Sequence, residues 1–183
     1  MTYPAGVTAA MFGFSLVWSA FAASSVLAEG VVAEQLPGGA TALSETFESW
    51  TVNCDVAQGK KRCVLLQQQT NQQTRQLMFA IELSPTTEAS VGATLVLPFG
   101  LALQNGVALQ IDDLAKGEPL KFRTCLPVGC LVGVTFDKAT VSSLRTGTTL
   151  KATALADGGK DVGFSVPLKG FSAALDRVQV LVK

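Results

Sequence analysis

A chain of 183 residues with 14 Lys+Arg, 14 Asp+Glu and no histidine has a formal net charge of zero. The balance removes the basic footprint on which nucleic-acid binding depends. The missing histidine removes Ser-His-Asp and Cys-His nucleophile activation, together with every histidine-containing zinc site.

Residues 1 to 28 carry no charged side chain, and the apolar run Val7–Ala23 is broken only by Thr8, Gly13, Ser15 and Ser19. Val26-Leu27-Ala28 then places small residues at the minus-three and minus-one positions of a cleavage site before Glu29. This is the pattern of a secretory signal peptide over 1–28. Its n-region lacks Lys and Arg, so a retained membrane anchor is the rival reading, about twenty apolar residues being enough to span a bilayer. Either way the domain is expected outside the cytoplasm, in the periplasm or outer envelope, or released. Membrane contact is expected only through the leader, if it is uncleaved.

Residues 29–46 contain Gly30, Pro37, Gly38 and Gly39 among small residues and read as a flexible linker. From Phe47 onward period-two alternation dominates, so residues 47–183 are expected to form one domain. Trp50, Val52, Cys54 and Val56 share a face. The same spacing recurs in Leu77-Phe79-Ile81-Leu83, in Leu95-Leu97-Phe99-Leu101-Leu103 and in Val107-Leu109-Ile111. It continues in Leu120-Phe122, Val132-Val134-Phe136, Leu150-Ala152-Ala154 and Val162-Phe164-Val166-Leu168. Trp50, Phe99, Phe122 and Phe164 are the aromatic core residues this pattern predicts. Turn signals separate the runs, Asn105-Gly106 being the strongest. About eight or nine strands with such spacing make an all-β sandwich or barrel. Two segments break the period. Asp137–Arg145 predicts a short helix capped by Asp137, and Phe171–Val178 a second short helix or turn. The polar stretch Gln67–Gln76 reads as a solvated strand end and loop.

Four cysteines fall in two close pairs, Cys54 with Cys63 and Cys125 with Cys130. Their intervals suit neither a C-x2-C zinc knuckle nor a thioredoxin-like redox pair, so structural disulfides are expected. Chain entropy favours long-range crossed links, worth ~4 kcal/mol against ~2–3 kcal/mol for short loops. Geometry favours local pairing, because Cys54 ends one strand and Cys63 starts the next, opposite it across a hairpin. Local pairing is the expectation. Asp112-Asp113 point to opposite sides of an extended chain, a poor acid/base pair, and read as a solvated turn. Asp157 and Asp161 flank a Gly-Gly hairpin loop and are too few to hold calcium. No catalytic residue, metal ligand or cofactor site is expected.

Four blocks also carry a family resemblance. They are Trp50-Thr51-Val52-Asn53-Cys54 with Cys63; Leu97-Pro98-Phe99-Gly100-Leu101-Ala102-Leu103 with Gly106–Asp112; Phe122-Arg123-Thr124-Cys125 with Gly129-Cys130; and Gly163–Phe171. In this order and spacing they resemble the invasion-associated locus B family of exported bacterial proteins, over roughly Glu48 to Asp176. The resemblance implies an immunoglobulin-like β-sandwich, export in a Gram-negative bacterium and an association with host-cell invasion. It carries over Trp50 and the four cysteines as structural positions and offers no catalytic motif. The expected function is that of a non-enzymatic binding module whose partner is an unknown protein or envelope component. The alternative is a small-ligand or glycan-binding envelope module, and a histidine-independent hydrolase ranks behind both.

Overall fold

The computed structural model describes residues 35–86 and 90–183. The leader lies outside the described residues, as do residues 29–34 of the expected linker.

Strands β1 (Ala42–Phe47), β2 (Trp50–Ala57), β3 (Lys60–Thr70), β4 (Leu77–Pro85) and β5 (Val91–Leu97) form an antiparallel meander. It is extended beyond β5 by β8 (Gly129–Phe136) and then β7 (Phe122–Leu126), giving seven strands. A second sheet holds β6 (Val107–Ile111), β9 (Thr149–Leu155) and β10 (Asp161–Pro167) in the order β10-β9-β6. Helix α1 (Lys138–Thr146) links β8 to β9, and α2 (Phe171–Leu181) closes the chain. The architecture is the expected β-sandwich, with its strands divided seven to three.

The alternating runs supply the core. On the inner face of the large sheet, Val52 lies opposite Leu65, Leu65 opposite Leu83, Ile81 opposite Leu95 and Leu95 opposite Val132. All of these are buried. The small sheet answers with Phe164, which stacks on Phe79 at 5.2 Å between ring centroids. Helix α2 covers the β1–β4 side of the same face with Phe171, Ala174, Leu175, Val178 and Leu181, a row at helical spacing. Trp50 joins the three parts. Its ring meets Phe171 edge-on at 5.2 Å, and its indole N–H donates to the Pro167 carbonyl at 3.0 Å.

Helix α1 forms as expected. The Asp137 carboxylate accepts from the Thr140 backbone N–H at 2.8 Å, and hydrogen bonding from Thr140 holds its pKa below the usual carboxylate range. Helix α2 starts at Gly170, whose φ of +90° is open to glycine and strained for other residues. A Cβ there would overlap the Phe47 carbonyl.

Four expectations are corrected. The expected linker 29–46 is not a flexible connector over its described residues: Leu36 is buried, and Ala42–Phe47 pairs along β2 in register Ala42–Asp55 to Phe47–Trp50. Glu45 hid this strand by interrupting the inward apolar row Leu43–Phe47, and Arg177 neutralises that inward-facing carboxylate. The solvated reading of Gln67–Gln76 fails at Gln67, which is 7% exposed on the core face opposite Ile81. Its Oε1 accepts no hydrogen bond among the described residues. The turn Asp112-Asp113 is more than solvated: Asp112 accepts the backbone N–H groups of Thr148 and Thr149 at 2.9 and 2.8 Å and so ties the end of β6 to the start of β9. Phe99 leaves the core. Pro98 ends β5 because it has no N–H to donate, Gly100 turns the chain at φ +86°, and Leu101 crosses to bridge Ala156. Phe99 is left 61% exposed at the corner. Of the other predicted aromatics, Trp50 and Phe164 are buried, and Phe122 is half-buried against the core.

Two predictions follow from the contacts of α2. Gly170→Ala lowers stability by ~2–4 kcal/mol in urea unfolding, from positive-φ strain plus the overlap with Phe47. Arg177 donates to both oxygens of Glu45, at 2.7 and 2.8 Å, and these bonds depress the Glu45 pKa. A carboxyl depressed in the folded state stabilises fully above its unfolded pKa and loses that contribution as pH falls through the folded value. Glu45→Gln therefore narrows the gap between urea midpoints measured at pH 7 and pH 3.

Candidate functional site

Both disulfides close as local cross-strand pairs. Cys54–Cys63 joins β2 to β3 with 4.0 Å between Cα atoms, and Cys125–Cys130 joins β7 to β8 with 3.9 Å. They sit at opposite ends of the large sheet: the register carries Cys63 toward Pro85, Val91 and Phe136, whereas Cys130 faces Leu97. Cys54, Cys63 and Cys130 are buried, and Cys125 is exposed. No cysteine is free.

The Cys125–Cys130 end is the unusual one. Three short segments converge there: the start of β4, the Pro98–Gly100 corner and the β7–β8 turn. Gly129 makes the turn possible, since its φ is +140° and a Cβ would stand 2.5 Å from the Leu97 carbonyl oxygen. The segments display Phe99 at 61% exposure, Val128 at 54%, Leu126 at 47% and Met78 at 39%. A shallow groove of about 440 Å³ runs between them, floored by Leu77, Pro98 and Pro127. Among the described residues no ionisable side chain lines it. Large apolar side chains on a rigid, uncharged surface suit contact with another molecule's apolar surface.

Neither Met78 nor Val128 stood out in the sequence. A signal was present, since Leu126 and Val128 occupy a tight turn where solvated residues are the rule. The predicted aromatic Phe99 joins this surface, whereas Trp50, Phe122 and Phe164 belong to the interior. Among the described residues no group of three or more Cys, Asp or Glu side chains is placed to hold a metal ion. No described helix is long and apolar enough to cross a membrane.

A two-sheet sandwich clipped at each end by a hairpin disulfide, with one apolar corner displayed, defines the class. The family model for "Invasion associated locus B (IalB) protein" matches residues 50–179. The chain is 41% identical to an invasion protein B homolog of Brucella abortus, over 94% of this chain and all of that protein. It is 40% identical to invasion protein B of Bartonella bacilliformis, over 81% of each. The crystal structure of invasion associated protein B from Bartonella henselae superposes with a TM-score of 0.70 at 36% identity, covering 76% of this chain and 96% of that one. The chain belongs to the IalB family.

The two disulfides differ in access, and thiol–disulfide exchange requires a thiolate to reach sulfur. Graded dithiothreitol followed by alkylation and peptide mapping should label Cys125 and Cys130 first. Cys54 and Cys63 should stay protected until the domain unfolds. Serine at both Cys54 and Cys63 costs about 2–3 kcal/mol of stability.

Proposed function

We propose that the protein is an exported, non-enzymatic binding module that grips a protein of the bacterial envelope or of a host-cell surface through the Phe99 corner. One observation carries the reading: Phe99, Val128, Leu126 and Met78 lie exposed together on segments fixed by Cys125–Cys130 and Gly129. Exposed aromatic and aliphatic anchors on a rigid frame lose little entropy on binding, and such residues dominate interface energetics. Export is supported by the charge-free apolar leader and by two disulfides, which persist in oxidising compartments. The relatives' name, invasion protein B, points toward contact with another cell.

A photo-cross-linking residue at position 99 should capture one defined envelope or host protein from intact cells, and the same residue at position 60, at the opposite end of the large sheet, should not. Capture should survive raised salt, because the groove's described lining is not ionisable. The pair Phe99→Ser and Val128→Ser should abolish it while moving stability by no more than about 0.5 kcal/mol per site. Equal capture from both positions would sink the assignment.

A further inference from the structure

The sandwich is not filled at its other end. The core-facing row of β6 runs Val107, Leu109, Ile111, and only Val107 is fully buried. On the facing sheet the inner row of β8 shows the same gap at Val134, which is half-buried between the buried Val132 and Phe136. The inner rows of both sheets thus stay partly open over the same stretch. Between them lies a groove of about 490 Å³, with Leu120 and Leu150 completing its apolar walls. Its volume is within the range of small-molecule sites, which are mostly apolar with a few polar groups at one side. Here the polar residues are Glu118 on the covering loop, Thr135 on β8, and Thr140 and Ser143 on α1. Among the described residues Glu118 is the only ionisable one in the lining.

We propose that this groove holds a single alkyl chain whose head group is uncharged or cationic. Two features select that occupant. A peptide strand cannot add to β6, because the segment before β7 already occupies its outer edge: Val107 and Leu120 exchange backbone bonds at 2.9 and 2.8 Å, and the Gly117 N–H donates to the Leu109 carbonyl at 2.8 Å. An anionic head would meet the Glu118 carboxylate at the rim, with no cation among the described lining residues to offset it, whereas Thr140 and Ser143 hydroxyls serve a neutral polar head. The chain then completes the burial that Leu109, Ile111 and Val134 lack. The groove lies about 13–20 Å along β8 from Cys130, by strand rise, and shares no lining residue with the Phe99 groove, so the two are distinct.

The test uses the purified protein with decyl maltoside below its micellar concentration and with decanoate as the anionic counterpart. Decyl maltoside should bind at a single site in calorimetry and raise the unfolding temperature, with decanoate at least tenfold weaker. Ala139→Trp, at an exposed α1 position on the groove's wall, should abolish binding without changing the circular dichroism spectrum or the unfolding temperature of the free protein. Glu118→Gln should bring decanoate to within threefold of decyl maltoside, and this arm stands even if the tryptophan variant misfolds. Absence of decyl maltoside binding overturns the proposal, as does unchanged discrimination in Glu118→Gln. Equal binding to a folded Ala139→Trp variant also overturns it, and loss of that binding on Phe99→Ser would place the chain at the Phe99 corner instead.

Discussion

The tie between Trp50 and the C-terminal part of the chain holds the sandwich together. A seven-stranded sheet cannot bury its inner face with three strands alone, so the β1–β4 side needs α2. Where that helix lands is set by contacts of the turn after β10, such as the Leu168 N–H on the Thr148 carbonyl and the Lys169–Glu48 ion pair, and by contacts from the large sheet. Trp50 supplies two of them at once, an edge-on ring contact with Phe171 and a hydrogen bond to Pro167 at the end of the preceding strand. The ring is 1% exposed, and the indole N–H, which would be costly to bury unpaired, is satisfied by a carbonyl more than a hundred residues away. Gly170 lets the backbone approach Phe47 at the same place, and the Glu45–Arg177 pair fastens the helix to β1. The N-terminal strands and the C-terminal helix are therefore one structural unit, although they are the most distant described parts of the sequence.

Much of this was legible in the residues. Alternation marked most core strands because half-buried strands must alternate, and the spacing of Cys54 and Cys63 announced a hairpin because its two strands face each other. Asp137 announced α1 because a carboxylate is the group that satisfies a helix's first N–H groups. What escaped reading depended on tertiary partners. The strand at Ala42–Phe47 carries Glu45 inward, a placement that makes sense only once Arg177 is beside it. Asp112 looked like a turn residue because its partners, Thr148 and Thr149, come from across a helix. Phe99 continued an apolar alternation that Pro98 and Gly100 in fact end, and no pattern of apolar residues distinguishes a strand from a corner that leads to a second sheet. The apolar surface at that corner was invisible for the same reason: Met78, Phe99 and Val128 become neighbours only through the β4–β5–β8 pairing.

The two disulfides divide the labour between the ends. The buried Cys54–Cys63 bond lies with the core hairpin, where it restrains the unfolded chain and presents nothing to solvent. The Cys125–Cys130 bond restrains a turn that displays its residues, so the shape of that turn is set by covalent geometry as well as by packing. Membership of the IalB family covers both arrangements, because the matched region runs from Trp50 into α2.

The outer edge of β10 is partly blocked against another strand. An exposed strand edge offers a row of carbonyls and N–H groups to any other strand, which is the starting point of sheet-to-sheet polymerisation. On β10 the carbonyl of Ser165 is taken by the Gln69 amide and that of Pro167 by the Trp50 indole, while Pro167 has no N–H to offer. Two side chains of the large sheet thus act as stoppers on the small one. The bonds that orient the two layers also leave an incoming strand little to pair with over Ser165–Pro167, so the cross-layer contacts double as a guard on that edge.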